Sequence, residues 1–334
     1  MQGAGASPNI LGIGADLCHF PKMSDPRFRL ATPADGPKCN DFHNRVYGKR
    51  RPLDGWVWEF CKDHDAAGDA PLPFVLIEQE GAVLGTQAYI PIAFIDAQGI
   101  YATGKSEETL VDTSLRGQGM FPKLYEHLFA ECEARKIHGL WGFTPAGKAF
   151  RKVGFETPSK VSQILKPLRP DFVARALAAS AEAEVAPSLK HRLLGLGALA
   201  ASKARVPRAA DDKITIEPLS PAPDWADDLS ARFVAAWGGA TVHRSKAYLE
   251  WRFCANPYVA TTLWGVYDEG EPVGLFASAV EGHLAYLVDV IIAAKDDART
   301  DRALDAVFAR LDSLGREAGA SGIRGWHGSN RVVI

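Results

Sequence analysis

The chain has 334 residues, 47% of them hydrophobic and 23% charged, with a formal net charge of −2. The length suggests two domains, the apolar share is that of a globular protein with a sizeable core, and the charge balance excludes the overall basicity that marks a nucleic-acid binder. Five cysteines (Cys18, Cys39, Cys61, Cys132 and Cys254) are scattered, odd in number and never in a C-x-x-C pair. They read as reduced thiols of a cytoplasmic protein rather than as a disulfide framework. The first twenty residues carry no basic head, and Asp16 and His19 interrupt their apolar run, so no targeting signal is expected. The longest apolar run, LLGLGALAA from Leu193, is far short of the ~20 residues of a membrane span.

In chain order, residues 1–25 read as a lead-in. FRLATPAD from Phe28 reads as a strand and turn, and GPKCNDFHNRVYG and PLDGWVWEFCKD as two short helices. FVLIEQEGAVLGTQAYIPIAFI reads as a hairpin turning at Glu80 and Gly81. EETLVDTS is the next strand. FPKLYEHLFAECEARK follows as a helix, with Phe121, Tyr125, Leu128 and Cys132 on one face. IHGLWGF is a strand, GKAFRKVGF a short helix, and SKVSQILKPL a strand closing the first domain at residue 168.

Residues 169–212 are Ala-rich. Between Pro187 and Arg208 they carry Lys190, Arg192, Lys203, Arg205 and Arg208 and no acid. This is either a helical linker with a solvated basic side or a patch for an anionic surface; peripheral membrane contact through 187–208 is the second option. From residue 213 the order of elements begins again. WEFC at Trp58 matches WRFC at Trp251, EGAVLG at Glu80 matches EGEPVG at Glu269, LVD at Leu110 recurs at Leu287, and GLWGF at Gly139 matches GIRGW at Gly322. Four short matches in the same order argue for a tandem duplication, 26–168 and 213–334. The counterpart of AFRKVGF is missing or unrecognisable, as in a shortened copy.

The turn RGQGM, Arg116 to Met120, joins a strand to a helix. Glycines admit positive φ and close backbone approach, so successive N–H groups can face one concavity. The helix adds partial positive charge at its N-terminus, and Pro122 fits its first turn. A phosphate or pyrophosphate is the natural occupant. The pattern is neither G-x-x-x-x-G-K-[ST] nor G-x-G-x-x-G after a first strand. The second copy reads VIIAAKDDA at this place, with no glycine and with Asp296 and Asp297 set to repel phosphate.

With GKAFRKVGF downstream, the turn resembles that of the GNAT (Gcn5-related N-acetyltransferase) superfamily, over residues from about Phe28 to Leu168 and, in degenerate form, from Ile214. The resemblance implies an α/β (α+β) fold of two tandem GNAT-like domains, each a mixed, mostly antiparallel sheet flanked by helices. It also implies acetyl-CoA as co-substrate, without metal. Arg116, Gly117, Gln118, Gly119, Met120 and Phe121 would hold the pyrophosphate, and Val111, Asp112 and Thr113 would offer backbone groups to pantetheine. Asp112 recurs as Asp289 in the copy without the turn, so its side chain reads as structural. Phe121 stands where the family carries a small residue, as in the tandem branch that includes the enhanced-intracellular-survival acetyltransferases. Phe150 stands where many members carry a Tyr that protonates the leaving thiolate. Tyr125 or water would then replace it, or the thiolate leaves unassisted.

In such a reaction an amine attacks the thioester, a base takes the ammonium proton, and a backbone N–H at a strand bulge polarises the carbonyl. The base candidates are Glu107 and Glu108; strand alternation places them on opposite faces, so that one serves, with Glu108 slightly favoured. Trp56, Trp58 and Phe60 read as core, although they lie where the family shapes its acceptor pocket. In VHRSKAYLEWRFCANPY, which resembles a stretch of GNAT-like proteins tied to surface polysaccharides, Trp251 and Phe253 read as core. Arg252 forms either a buried ion pair or a contact to an anionic acceptor. The expected function is acyl transfer, most simply acetyl, to a small-molecule or polysaccharide amine. An amino sugar, an aminoglycoside-like molecule and a protein lysine stay open, and the oligomeric state is not readable. The rivals are a non-catalytic acyl-CoA-binding module and a peptidyl transferase of the FemABX kind; the intact turn argues against the latter.

Overall fold

The computed structural model describes residues 25–63, 68–157, 161–173, 188–204 and 213–327. The expected lead-in, most of the linker outside 188–204, and the end of the second copy lie outside these residues. The first sheet begins with β1 (Arg27–Leu30), followed by α1 (Gly36–Tyr47), α2 (Leu53–Phe60), β2 (Phe74–Gln79) and β3 (Ala82–Pro91). The β2–β3 turn lies at Glu80 and Gly81, whose φ angles of 51° and 80° suit a two-residue hairpin loop. β6 (Thr103–Val111) lies beside β3, and β7 (Gly139–Trp141) closes the sheet after α3 (Met120–Ala134). The order is β1-β2-β3-β6-β7, antiparallel except for β6 and β7.

The second sheet holds β9 (Ile214–Leu219), β11 (Thr261–Asp268), β12 (Glu271–Glu281), β13 (Leu284–Ile292) and β14 (Gly322–His327). Between β9 and β11 lie α6 (Ala226–Trp237) and the short α7 (Lys246–Leu249), which runs into a π turn at Glu250–Cys254. Between β13 and β14 lies α8 (Asp297–Glu317). The order β9-β11-β12-β13-β14, again with a parallel last pair, repeats that of the first sheet. The Glu269–Gly270 turn, at φ 52° and 87°, repeats Glu80–Gly81.

One strand departs from the sequence reading. SKVSQILKPL does form β8 (Ser162–Pro167), after the short α4 (Gly147–Lys152), but β8 pairs antiparallel with β14 and edges the second sheet. The boundary expected at residue 168 therefore falls inside the second sheet. The physical reason is ladder length: β7 has three residues, whereas β14 offers β8 a six-residue register from Pro167↔Gly322 to Ser162↔His327. A second departure is the end of the expected hairpin. Pro91, which has no N–H to donate, ends β3. Phe94–Asp96 forms β4, which pairs with β5 (Gly99–Tyr101) and with β10 (Thr241–Val242) from the second half.

Helices cover both faces of each sheet. On the first, α1 and α2 bury Phe42, Trp56 and Phe60 against Phe74 and Leu76, while α3 buries Leu124, Tyr125 and Leu128 on the other side. The expected core reading of Trp56 and Phe60 holds. Trp58 instead stacks on Trp251 across the two halves, with centroids 4.8 Å apart. Each indole N–H donates to the other residue's carbonyl, at 3.0 and 2.9 Å, an exchange with the form of a two-fold contact. The buried ion pair belongs to Arg244, not Arg252: Arg244 meets Asp289 through two bonds of 2.8 Å, whereas the Arg252 guanidinium lies over the Trp58 ring at 6.0 Å. Within the linker, α5 (Leu189–Ala204) turns Leu189, Leu193 and Leu196 outward, so its exposed side is apolar as well as basic. Among the described residues no helix is long and apolar enough to cross a membrane.

Candidate active site

β6 changes register midway. Ala88 faces Glu107, but Thr86 faces Leu110, so an extra residue bulges out opposite Gln87. Glu108 takes a left-handed φ of 57° there. Buried neighbours stitch the bulge: the Thr86 hydroxyl donates to the Glu108 carbonyl at 2.8 Å, and the Gln87 amide donates to Ser106 Oγ at 3.0 Å and to the Glu107 carbonyl at 3.3 Å. The Gln87 side-chain oxygen accepts from the Thr109 hydroxyl. The bulge breaks the alternation expected of a strand. Glu107 and Glu108 do not face opposite ways; both line one cavity of about 340 Å³.

Three elements and the second half complete that cavity. His43 comes from α1, Lys49 to Pro52 from the α1–α2 loop, Glu59 from α2, and Tyr258 from the second half. Arg51, with 7% of its side chain exposed, is its buried hub. Its guanidinium donates to Asn40 Oδ1 at 2.8 Å, to Glu59 Oε2 at 3.0 Å and to Glu108 Oε1, while its Nη2 is buried without a partner. Its backbone carbonyl accepts from Asn40 and Asn44, which pins the loop. Glu108, 5% exposed, also meets His43 Nδ1 at 3.0 Å; Glu107 pairs with Lys105. Burial pushes the Glu59 carboxyl up to about 7, against the opposing pull of Arg51. The Tyr258 hydroxyl is pushed well above the usual phenol range, first by burial and then by Glu59. Tyr258 reaches this place because Gly55 has no side chain; a Cβ there would lie 2.5 Å from the Tyr258 hydroxyl. Arg51, His43, Glu59 and Tyr258 were not singled out in the sequence. The only signal was the basic KRRP before α2, and nothing in the order of residues brings Tyr258 to Gly55.

On the other face of the bulge, the Tyr125 hydroxyl bonds Ser106 Oγ at 2.8 Å and Thr109 Oγ1 at 3.2 Å, and burial raises its pKa. Phe150 packs with Phe121, Tyr125 and Phe155 at centroid distances of 5.6, 5.7 and 5.4 Å. β6 and β7 pair only from Thr103↔Gly139 to Lys105↔Trp141, and β6 then runs on to Val111. The two strands thus part at the bulge. β6 continues through Val111 into Asp112, Thr113 and the glycine turn. Gly117 and Gly119 have φ of 78° and 74°, and a Cβ on either would meet nothing within 4 Å. The N–H groups of Met120 and Phe121 head α3, where no helical carbonyl precedes them, and Pro122 has none. The Asp112 carboxylate is occupied: it accepts from Ser114 N and Ser114 Oγ at 3.0 and 2.8 Å and pairs with Arg45 at 3.5 Å. In the second half the same place is closed by the chain itself. Asp296 caps α8 by accepting from Arg299 N at 2.8 Å, which places a carboxylate at the helix start. No group of three His, Cys, Asp or Glu side chains fit to hold a metal is found among the described residues.

Neither a protein-family model nor a curated protein matches the chain. Solved structures do match its fold. A conserved protein from Enterococcus faecalis V583, described as a probable N-acyltransferase, superposes with a TM-score of 0.64 at 9% identity, over 93% of this chain and 67% of its own. A GCN5-related N-acetyltransferase from Anabaena variabilis gives 0.63 at 12% identity, over 92% and 67%. Saccharomyces cerevisiae N-myristoyltransferase with bound myristoyl-CoA gives 0.56 at 11% identity, over 92% and 78%. The chain therefore has the fold of the GCN5-related N-acetyltransferases: antiparallel-rich mixed sheets flanked by helices.

Proposed function

We propose that the chain is an acyl-CoA-dependent N-acyltransferase, built by duplication of one domain, whose first half binds acyl-CoA, most simply acetyl-CoA, and passes the acyl group to an amine. One continuous arrangement supports this reading. A bulge at Glu107 to Thr109, where β6 is no longer paired with β7, is followed along the chain by a glycine turn at a helix start, and the two glutamates of the bulge line a charged cavity. Arg116 and the turn from Gly117 to Phe121 would take the pyrophosphate, and Val111 to Thr113 the pantetheine. The bulge would polarise the thioester carbonyl, and the cavity, where Glu59, Glu107 and Glu108 lie beside Lys49, Arg50 and Arg51, would hold the amine. Phe150 cannot give a proton to the leaving thiolate; the phenol at the bulge is Tyr125. The second half contributes Tyr258 and Trp251 to the junction rather than a second acyl-CoA site, because Asp296 closes its helix start. The acceptor class includes amino sugars of surface polysaccharides.

The test is calorimetric titration of acetyl-CoA into the purified chain beside a Gly119→Glu variant. The substitution adds a carboxylate to the turn, at a φ that L side chains rarely adopt. Saturable binding by the parent and at least a hundredfold loss in a variant of unchanged circular dichroism are expected. A folded parent that binds no acyl-CoA overturns the proposal. Binding without thioester turnover across a broad amine screen would favour the regulatory module instead.

A further inference from the structure

We propose that His43 is the group that takes the proton from the attacking amine, and that Glu108 acts through it as a positioning residue. This inference rests on the acyltransferase reading and goes beyond the two carboxylates legible in the sequence.

The geometry is that of a carboxylate–imidazole pair. His43 Nδ1 lies 3.0 Å from Glu108 Oε1 and 3.2 Å from Oε2. A carboxylate can only accept there, so the ring's proton resides on Nδ1 and the Nε2 lone pair is left free to accept. His43 lines the cavity with 18% of its side chain exposed, so a bound amine can reach the ring. Glu108 is poorly placed to take a proton itself. It is 5% exposed, and its oxygens are engaged by Arg51 and His43. Glu107 is paired with Lys105. Arg51 fixes the carboxylate and the loop, and the left-handed bulge aims Glu108 at α1 rather than across the sheet. Tyr47, whose ring centroid lies 4.8 Å from that of His43, supports the ring from its own helix. The remaining charged and titratable groups facing His43 across the cavity are Glu59, Lys49, Arg50 and Tyr258.

The step balances as follows. Nε2 accepts a proton from the ammonium and becomes part of an imidazolium, whose charge Glu108 stabilises. The freed nitrogen pair forms the C–N bond at the thioester carbon. The C–S bond then breaks, its electron pair leaving on the CoA sulfur. The nitrogen's surplus proton passes to the thiolate or solvent, and His43 returns its own to solvent.

Glu59 is the rival base in the same cavity, and the experiment separates the two. Long-range ¹H–¹⁵N NMR on the intact chain reads the His43 tautomer without any acceptor. A ring protonated on Nδ1 is expected in the parent above its titration range, with a mixture of tautomers in Glu108→Gln. A ring protonated on Nε2 in the parent overturns the proposal. Kinetics in an amine screen give the second reading. His43→Gln is expected to lower kcat at least a hundredfold and abolish the acidic limb of the kcat/KM profile, with acetyl-CoA affinity unchanged. Glu108→Gln shifts that limb to lower pH, and Glu59→Gln leaves it in place. An acidic limb that survives His43→Gln and disappears in Glu59→Gln assigns the proton to Glu59 and overturns the proposal. Failure of the acyltransferase reading shows separately, as absent acetyl-CoA binding by the parent.

Discussion

At the scale of single residues, the cavity depends on positions that carry no reactive group. Gly55 lies inside α2, where alanine would ordinarily gain about 1 kcal/mol of helix propensity. Here a methyl would displace Tyr258 from the cavity. Gly55→Ala is therefore expected to raise the amine KM at least tenfold while acetyl-CoA affinity, read by calorimetry, stays within twofold. Glu59 gives a pH signature of its own. Burial disfavours its charged form and pushes the carboxyl up to about 7 in the folded chain, from the ordinary 4.5. The folded state then holds more protons than the unfolded chain between those values, so stability falls as pH rises through that window and the penalty is complete above about 7. Glu59→Gln should remove this slope and stabilise the fold at pH 8 by on the order of 2–3 kcal/mol, measured as urea midpoints at pH 5 and pH 8. The turn at Gly117 and Gly119 was legible as a turn because glycine admits the positive φ that both adopt there. The shared face of Glu107 and Glu108 was not, because alternation assumes an unbroken ladder and the register is set by Thr86 and Gln87 on the neighbouring strand.

At the scale of elements, the same three letters serve two purposes. LVD ends β6 with an Asp112 that caps a turn, and it places Asp289 within β13 as the partner of buried Arg244. Asp289→Ala would leave that guanidinium buried and uncompensated, which is expected to cost about 3–5 kcal/mol, read by chemical denaturation. Asp112→Ala, at an exposed cap, should cost about 1 kcal/mol. The helices and the two hairpin turns could be read from periodicity and Glu-Gly signals. β4, β5 and β10 could not, being two or three residues long and paired with one another in a small separate sheet. On α5, the outward Leu189, Leu193 and Leu196 beside Lys190 and Arg192 bear on the expected contact with an anionic surface. That expectation predicts co-sedimentation with vesicles rich in phosphatidylglycerol, lost in a Leu193→Glu, Leu196→Glu double variant.

At the scale of the whole molecule, the contacts that join the halves among the described residues include the Trp58–Trp251 exchange, the β4–β10 pair and the β8–β14 ladder. The aromatic stack adds about 0.5–1.5 kcal/mol beyond its burial. The parent should therefore unfold in one transition, with tryptophan fluorescence and circular dichroism coincident. Trp251→Ala should separate the two signals. The similar strand orders of the two sheets accord with the four short matches along the chain, on which the proposed duplication rests. The crossing of β8 was not, because a strand's own residues state that it will pair but not with which edge.

That crossing sets the order in which the protein is completed on the ribosome. The first sheet needs nothing beyond β7, and the turn before α3 is in place by then. β8 emerges next beside only the short edges of the first sheet, since its partner β14 follows roughly 150 residues later, on the order of 10–30 s at ordinary rates of synthesis. Through that interval a strand of SQILKP waits with its hydrogen bonds unmade. Lys166, which later meets Asp312 at 2.7 Å, and Pro167 are the residues that discourage its pairing with a neighbouring nascent chain. The cavity waits as well, because Tyr258 is translated long after the residues it joins. A half-made chain thus presents its glycine turn well before its cavity is complete.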